Sequence, residues 1–267
     1  ANKVVSTEFK KPESTVVLVR PIIDPETGYM RGKDSAGDWR DPFAPVAYQG
    51  PNSVHGWGDI TEGFTMQYTW TVPHDFGGYV EKAGRKLLQS RLDSLFTIEL
   101  PEDIPGAHDI WGRIGGYWHG NEPCHHVTYL YDWFGQPWKC QKWVRYIADN
   151  FYGNEPGSLS GNDDCGQMSA WYIFNCLGFY PFCPGSDEYY IGSPCVPGLK
   201  VRLSDGGLLE MTTEGWSKEA VYIKAAYLNG KRLDSPVIRY SDIKDGARLH
   251  FVMSCRPVKN GFRLRPN

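Results

Sequence analysis

The chain has 267 residues, enough for one large domain or two ordinary ones with a real core. Its 28 Lys and Arg nearly balance 31 Asp and Glu, a net charge of −3, which argues against partners recognised through phosphate charge, whether nucleic acid or an anionic membrane surface. With 41% hydrophobic residues and a mean hydropathy of −0.45, no apolar run approaches the roughly 20 residues a membrane-spanning helix needs.

In chain order, residues 1–58 read as an irregular lead-in punctuated by Pro and Gly. DPETG at 24–28 reads as a turn. VVLVRPII at 16–23 reads as a strand or a buried segment, and periodicity does not choose between them. Residues 59–186 read as a helical portion. Helices are expected over about 60–71, 77–96, 124–134, 137–152 and 166–177. The second carries Val80, Ala83, Leu87, Leu88, Leu92, Leu95 and Phe96 at helical spacing. Gly178 stands where the last helix needs a residue that turns left-handed. From 187 to 267 the period changes. EYYIG, LKVRL, LLEMT, AVYIKAAYL, PVIRY and RLHFVM are short strand-like runs, and Asn229-Gly230 is a type I′ hairpin signal. An antiparallel β module is expected.

Ten Trp, 16 Tyr and 12 Phe, with 30 Gly and 19 Pro, suit either a large aromatic core or a surface that stacks on sugar rings. The seven cysteines form no CxxC pair, so no zinc ribbon or dithiol motif is expected. The stretch ANKVVSTEFKKPEST has no apolar core, so no signal peptide is expected in it, although a mature secreted chain would read the same.

Three polar clusters sit at expected helix starts. They are Asp59-Ile60-Thr61-Glu62-Gly63, His119-Gly120-Asn121-Glu122-Pro123-Cys124-His125-His126 and Gly161-Asn162-Asp163-Asp164-Cys165-Gly166-Gln167. Helix capping explains any one of them: Asp59 with Glu62, and Asp164 with Gln167, have capping-box spacing. Together they suggest one site at the end of a helical layer. Two carboxyl groups in different environments are what glycosidic hydrolysis requires, one protonated to serve the leaving oxygen and one ionised to activate water. Glu62, followed by Phe64, Tyr68 and Trp70, is the candidate acid, and Asp163 and Asp164 are candidates for the base. Asn121 and Glu122 offer oxygen ligands to a hard cation. His119, Cys124, His125 and His126 offer a weaker zinc alternative, since adjacent histidines point to different helix faces. A buried, satisfied histidine is the competing reading for each of them.

The segments GDITEGFTMQYTWTVPHD (58–75), GGYWHGNEPCHHVTYLYDWFGQPWKCQKWVR (115–145), GNDDCGQMSAWYIFNCLGFYPFCPG (161–185) and YYIGSP (189–194) closely resemble glycoside hydrolase family 92, the calcium-dependent exo-acting α-mannosidases. The resemblance covers about residues 24–260 in order. It implies an N-terminal β-sandwich and a catalytic domain built on an (α/α)6 barrel, and inverting hydrolysis of α-mannosides of N-glycans or mannan, most often α-1,2 linked. It implies a Ca2+ ion that grips the mannose hydroxyls and a secreted, periplasmic or cell-surface location. Carried over by position, Glu62 is the general acid and Asp164 the general base, with Asp163 as its partner or alternative. Asn121 and Glu122 line the metal, and Trp118, His119 and Glu122 meet the sugar. Glu122 stands as an alternative acid. An inverting pair would lie about 6.5–9.5 Å apart. A full family member is two to three times longer, so the chain reads as mainly the α part of an incomplete barrel followed by the β module. Its partner would be the sandwich and first helices, as a separate chain or a lost segment. A non-catalytic carbohydrate-binding fragment of such an enzyme is the competing function.

Overall fold

The computed structural model describes residues 20–49, 58–102, 104, 111–204 and 206–262. The chain forms two compact units, Ala1–His108 and Asp109–Asn267.

In the first unit, the apolar part of VVLVRPII before residue 20 lies outside the described residues, and Arg20–Ile22 is a single exposed 3-10 turn. The expected turn at 24–28 is present. The buried Asp24 carboxylate accepts from Glu26 N (2.9 Å) and Thr27 Oγ1 (2.9 Å), and pairs with Arg31 (3.0 Å). Burial is the largest single influence on the Asp24 carboxyl and raises its pKa, but these bonds and the Arg31 cation together outweigh it and hold the pKa below its usual value. The helix expected over 60–71 shrinks to α1, Thr65–Tyr68, because Glu62 adopts a left-handed φ of 57°. The helix expected over 77–96 is two helices, α2 (Phe76–Ala83) and α3 (Arg85–Thr97). Its apolar spacing runs through Gly84, whose φ of 88° and ψ of 131° lie where only glycine is at ease, so the periodicity survives while the backbone breaks. Phe64, Trp70, Tyr79, Leu88, Leu92 and Leu95 are fully buried. The Tyr79 hydroxyl donates to Gly28 O (2.6 Å) and meets Thr69 Oγ1 (2.8 Å), which satisfies it at the centre of this core.

The second unit opens with a hairpin of β1 (Arg113–Ile114) and β2 (Tyr117–Trp118). The helix expected over 124–134 is instead two 3-10 turns and the single turn α4 (Leu130–Trp133). The longer helices are close to expectation: α5 is Pro137–Asn150 and α6 is Gln167–Leu177, ended by Gly178 at φ 87°. Strands β3 (Phe179–Pro181), β4 (Glu188–Ile191) and β9 (Val237–Arg239) make a small antiparallel sheet. A five-stranded sheet runs in the order β5 (Gly198–Arg202), β6 (Leu208–Glu214), β10 (Ala247–Ser254), β7 (Tyr222–Leu228), β8 (Lys231–Arg232). It is mixed, not wholly antiparallel, because β10 inserts between β6 and β7 and runs parallel to β6. Asn229 (φ 51°) and Gly230 (φ 81°) form the expected tight turn between β7 and β8. The one-turn helix α7 (Tyr240–Ile243) joins β9 to the last strand.

Helix α5 is tied to this β layer. Gln141 Oε1 accepts from Ile223 N (3.1 Å), and the buried Arg145 donates to Pro194 O (3.1 Å) and Lys218 O (3.3 Å). Leu177, Phe179, Ile191, Met211, Ile223, Leu249 and Phe251 form the core shared by α6 and both sheets. Among the described residues no helix is long and apolar enough to cross a membrane.

Candidate functional site

Four non-glycine residues among those described have positive φ: Glu62 (57°), Asp164 (44°), Cys165 (59°) and Asn229 (51°). Asn229 is explained by its hairpin turn. The other three fall in the two acidic loops, where such backbone is costly and concentrates at functional positions.

Glu62 lies in the first unit, exposed at the tip of a loop. The loop is closed behind it by paired bonds between Gln49 and Gly63 (2.8 and 3.1 Å), and Ile60 N donates to Gln49 Oε1 (3.0 Å). Gly63 is packed so closely that an added Cβ would lie 2.5 Å from the Tyr68 ring. Of the aromatics expected to shelter Glu62, Phe64 and Trp70 are fully buried, while the Tyr68 ring packs against Gly63. Asp59 caps no helix either. Its carboxylate accepts from Gly32 N (3.1 Å) and pairs with Arg40, which ties two loops together.

The remaining candidates belong to the second unit. Asp163 and Asp164 have separate tasks. Asp163 accepts from Ser169 N (2.8 Å) and Ser169 Oγ (2.9 Å), so it holds the first turn of α6. Asp164 is not a capping residue. The N-cap of α6 is Gly166, and the exposed Asp164 carboxylate enters no hydrogen bond or ion pair among the described residues.

Trp118 and His119, to which the resemblance gives a sugar-facing role, are both buried. Tyr152 Oη donates its proton to Met168 O (3.0 Å), so it accepts from His119 Nε2–H (2.7 Å). His119 Nδ1 then accepts from Tyr117 Oη (2.9 Å). Both ring nitrogens are used inside the protein. His125 stacks on His119 with ring centroids 4.6 Å apart, donates from Nε2 to His119 O (2.9 Å) and accepts at Nδ1 from Gln167 Nε2 (3.2 Å). Burial lowers the His119 pKa well below its usual value, with the neighbouring His125 adding to the effect, and burial takes His125 down to about 4. These are neutral framework histidines. Their ring nitrogens are committed to protein partners, so neither of these two has a nitrogen left for zinc. Gln167 also donates to Tyr180 Oη (3.0 Å), and Trp171 Nε1 donates to His125 O (3.2 Å), so the start of α6 is bonded to the HGNEPCHH segment.

That segment meets the acidic loop at two glycines. A Cβ on Gly120 would lie 2.2 Å from Ser160 O, and one on Gly161 would lie 3.3 Å from Gly120 Cα, so only bare backbone fits. Two of the three clusters are thus physically joined. Asn121 is nearly buried and Glu122 half-buried on consecutive positions entering the 3-10 turn Glu122–Cys124. Their side-chain oxygens suit a hard cation whose other positions are filled by water or hydroxyl groups. Among the described residues no group of three or more His, Cys, Asp or Glu is arranged around a metal position.

Beside this junction lies a groove of about 550 Å³, bordered by Trp111, Arg113, Phe151, Leu159, Ser160 and Asn162. Trp111 is 62% exposed. The sequence reading missed it. The signal was an isolated indole in the Gly-rich run WGRIGG, outside any apolar pattern.

Residues 19–255 match the model of the Glycosyl hydrolase family 92 catalytic domain. A family GH92 α-mannosidase from Bacteroides thetaiotaomicron, solved with mannoimidazole, superposes with a TM-score of 0.88 at 65% identity over 90% of this chain and 32% of that one. A family GH92 inverting mannosidase from Bacteroides thetaiotaomicron VPI-5482 gives a TM-score of 0.74 at 33% identity over 91% of this chain and 34% of that one. An uncharacterized secreted glycosidase of Arthroderma benhamiae is 27% identical over 187 residues, which are 68% of this chain and 22% of that protein. The chain therefore spans about a third of the length of the solved relatives. It belongs to glycosyl hydrolase family 92, within the catalytic domain.

Proposed function

We propose that this chain carries the general acid and general base of an exo-acting α-mannosidase that releases terminal α-linked mannose, most readily α-1,2 linked, from N-glycans or mannan with inversion. The rest of the sugar pocket would come from the parts of the family this chain does not span, as one polypeptide or as a partner. A secreted, periplasmic or cell-surface location accords with external glycans as substrate.

In this mechanism Glu62 gives its proton to the glycosidic oxygen as the bond to the anomeric carbon breaks. Asp164 takes a proton from the water whose oxygen attacks that carbon from the opposite face. Glu62 then regains a proton from solvent and Asp164 releases one. Asp163 positions Asp164 by anchoring the chain to Ser169. Asn121 and Glu122 would hold the family's Ca2+, which supplies a grip on the vicinal hydroxyls of mannose. The observation that carries the reading is the pairing in the GNDD loop: one aspartate is tied down, and its neighbour is held in left-handed backbone with its carboxylate exposed and unbonded.

The test uses the chain together with the family segments it does not span. Glu62→Gln should lower kcat on α-mannobiose by about 10²–10⁴-fold, and far less on a 2,4-dinitrophenyl α-mannoside whose leaving group needs no proton. Asp164→Asn should lower both by a similar factor. Full activity in either variant on the disaccharide contradicts the assignment. Mannan binding with no mannose release by the parent protein would make it a binding module.

A further inference from the structure

We propose that the groove beside Trp111 is a saccharide-binding subsite for the part of the glycan beyond the mannose being cleaved, with the Trp111 indole as its stacking platform. This rests on the mannosidase reading above, and it assigns a role to residues outside the acid, base and cation groups.

Three observations carry it. First, the indole is exposed at the rim of a groove of about 550 Å³, within the size range of small-molecule sites. A large aromatic in water costs free energy unless a ligand covers it, and the apolar C–H face of a pyranose suits a flat ring. Second, the rest of the lining is mixed. Arg113, Ser160 and Asn162 offer polar groups for sugar hydroxyls, while Phe151 and Leu159 supply apolar wall. An apolar peptide would not need that mixture.

Third, the groove is bonded to the segment that carries the proposed cation residues. Gly120 N donates to Trp111 O (2.9 Å) and His119 N donates to Gly112 O (2.9 Å), which bonds the Trp111 backbone to the HGNEP segment. A Cβ on Gly112 would lie 2.8 Å from Ser160 Cβ, and Ser160 Oγ donates to Phe151 O (3.3 Å). The floor is therefore held from both sides. Asn162 in its wall directly precedes Asp163 and Asp164. A glycan longer than one residue, with its terminal unit at Asp164, has this groove within its reach.

The test is titration of the chain with α-1,2-mannobiose and mannotriose, read by saturation-transfer NMR and tryptophan fluorescence, with folding checked by thermal melting. Binding with indole quenching is expected, weakened about tenfold or more in Trp111→Ala and largely kept in Trp111→Phe, with unchanged melting because the side chain is exposed. In the active assembly, Trp111→Ala should lower the ratio of kcat/KM on mannotriose to that on an aryl α-mannoside by about tenfold. Equal binding by wild type and Trp111→Ala, or an unchanged ratio, overturns the subsite. Loss of all mannose release by the parent protein would refute the mannosidase reading instead, and the direct binding measurement separates the two failures.

Discussion

Acidification should unfold this protein through its stacked histidines, and the size of the effect follows from their burial. His125 is neutral in the folded protein, with its pKa held down at about 4, against about 6.5 in an unfolded chain. The unfolded state therefore binds more protons between about pH 6.5 and about pH 4. Stability from this group is complete above that value and is lost as the pH falls, with no further loss below about 4. Between pH 7 and pH 5 the His125 contribution falls by about 2 kcal/mol. His119, more deeply buried, adds to the loss in the same direction. Asp132 works against it. Its carboxyl is fully buried, and burial raises its pKa well above the usual carboxylate value, with the Cys140 thiol opposing this in part. Folding with Asp132 protonated is favoured at low pH and resisted as the pH rises, so this group regains stability on acidification. Asp132→Asn keeps the neutral shape and removes that opposition. Urea unfolding of Asp132→Asn at pH 7 and pH 5, followed by tryptophan fluorescence, should give a loss of at least about 2 kcal/mol. Asp24, Glu210 and Glu219 have lowered pKa values and lose their contributions only at lower pH, outside this window. Equal stability of the variant at the two pH values would refute the neutral, bonded state of the histidine stack.

Other outcomes follow from individual contacts. Gly120→Ala drives a Cβ into Ser160 O and should destabilise by about 3 kcal/mol or more, measured by the same urea titration. Gly84→Ala forces an ordinary residue into φ 88° and should cost about 1–3 kcal/mol, with α2 and α3 otherwise retained by circular dichroism. Asp163→Ala removes both Ser169 bonds, so it should lower stability by about 1–3 kcal/mol and also lower kcat through Asp164. Adding chelator to the active assembly should abolish mannose release and Ca2+ should restore it, with Asn121→Ala raising the Ca2+ concentration required.

The long elements were legible because their signals are local. Helix α5 begins at Pro137 where proline is favoured, α6 ends at Gly178, and Asn229-Gly230 closes its hairpin. What failed needed tertiary information. Apolar spacing does not register that Gly84 leaves helical backbone, or that β10 returns parallel to β6. The acidic loops stand out by residue type, but the different bonding of their two aspartates does not. Asp163 and Asp164 are equivalent in sequence, and only Ser169 six positions on separates the tied carboxylate from the exposed one. Likewise, Trp118 and Trp111 look alike in the sequence, and the fold buries the first while leaving the second in water.

The central claim, acid and base on opposite faces of one mannoside, is tested most directly by proton NMR of the product as it forms. The assembled enzyme, given an α-mannoside, should release β-mannose first, with the α anomer growing in only by mutarotation. Initial release of α-mannose would mean a covalent intermediate and would contradict the roles given to Glu62 and Asp164.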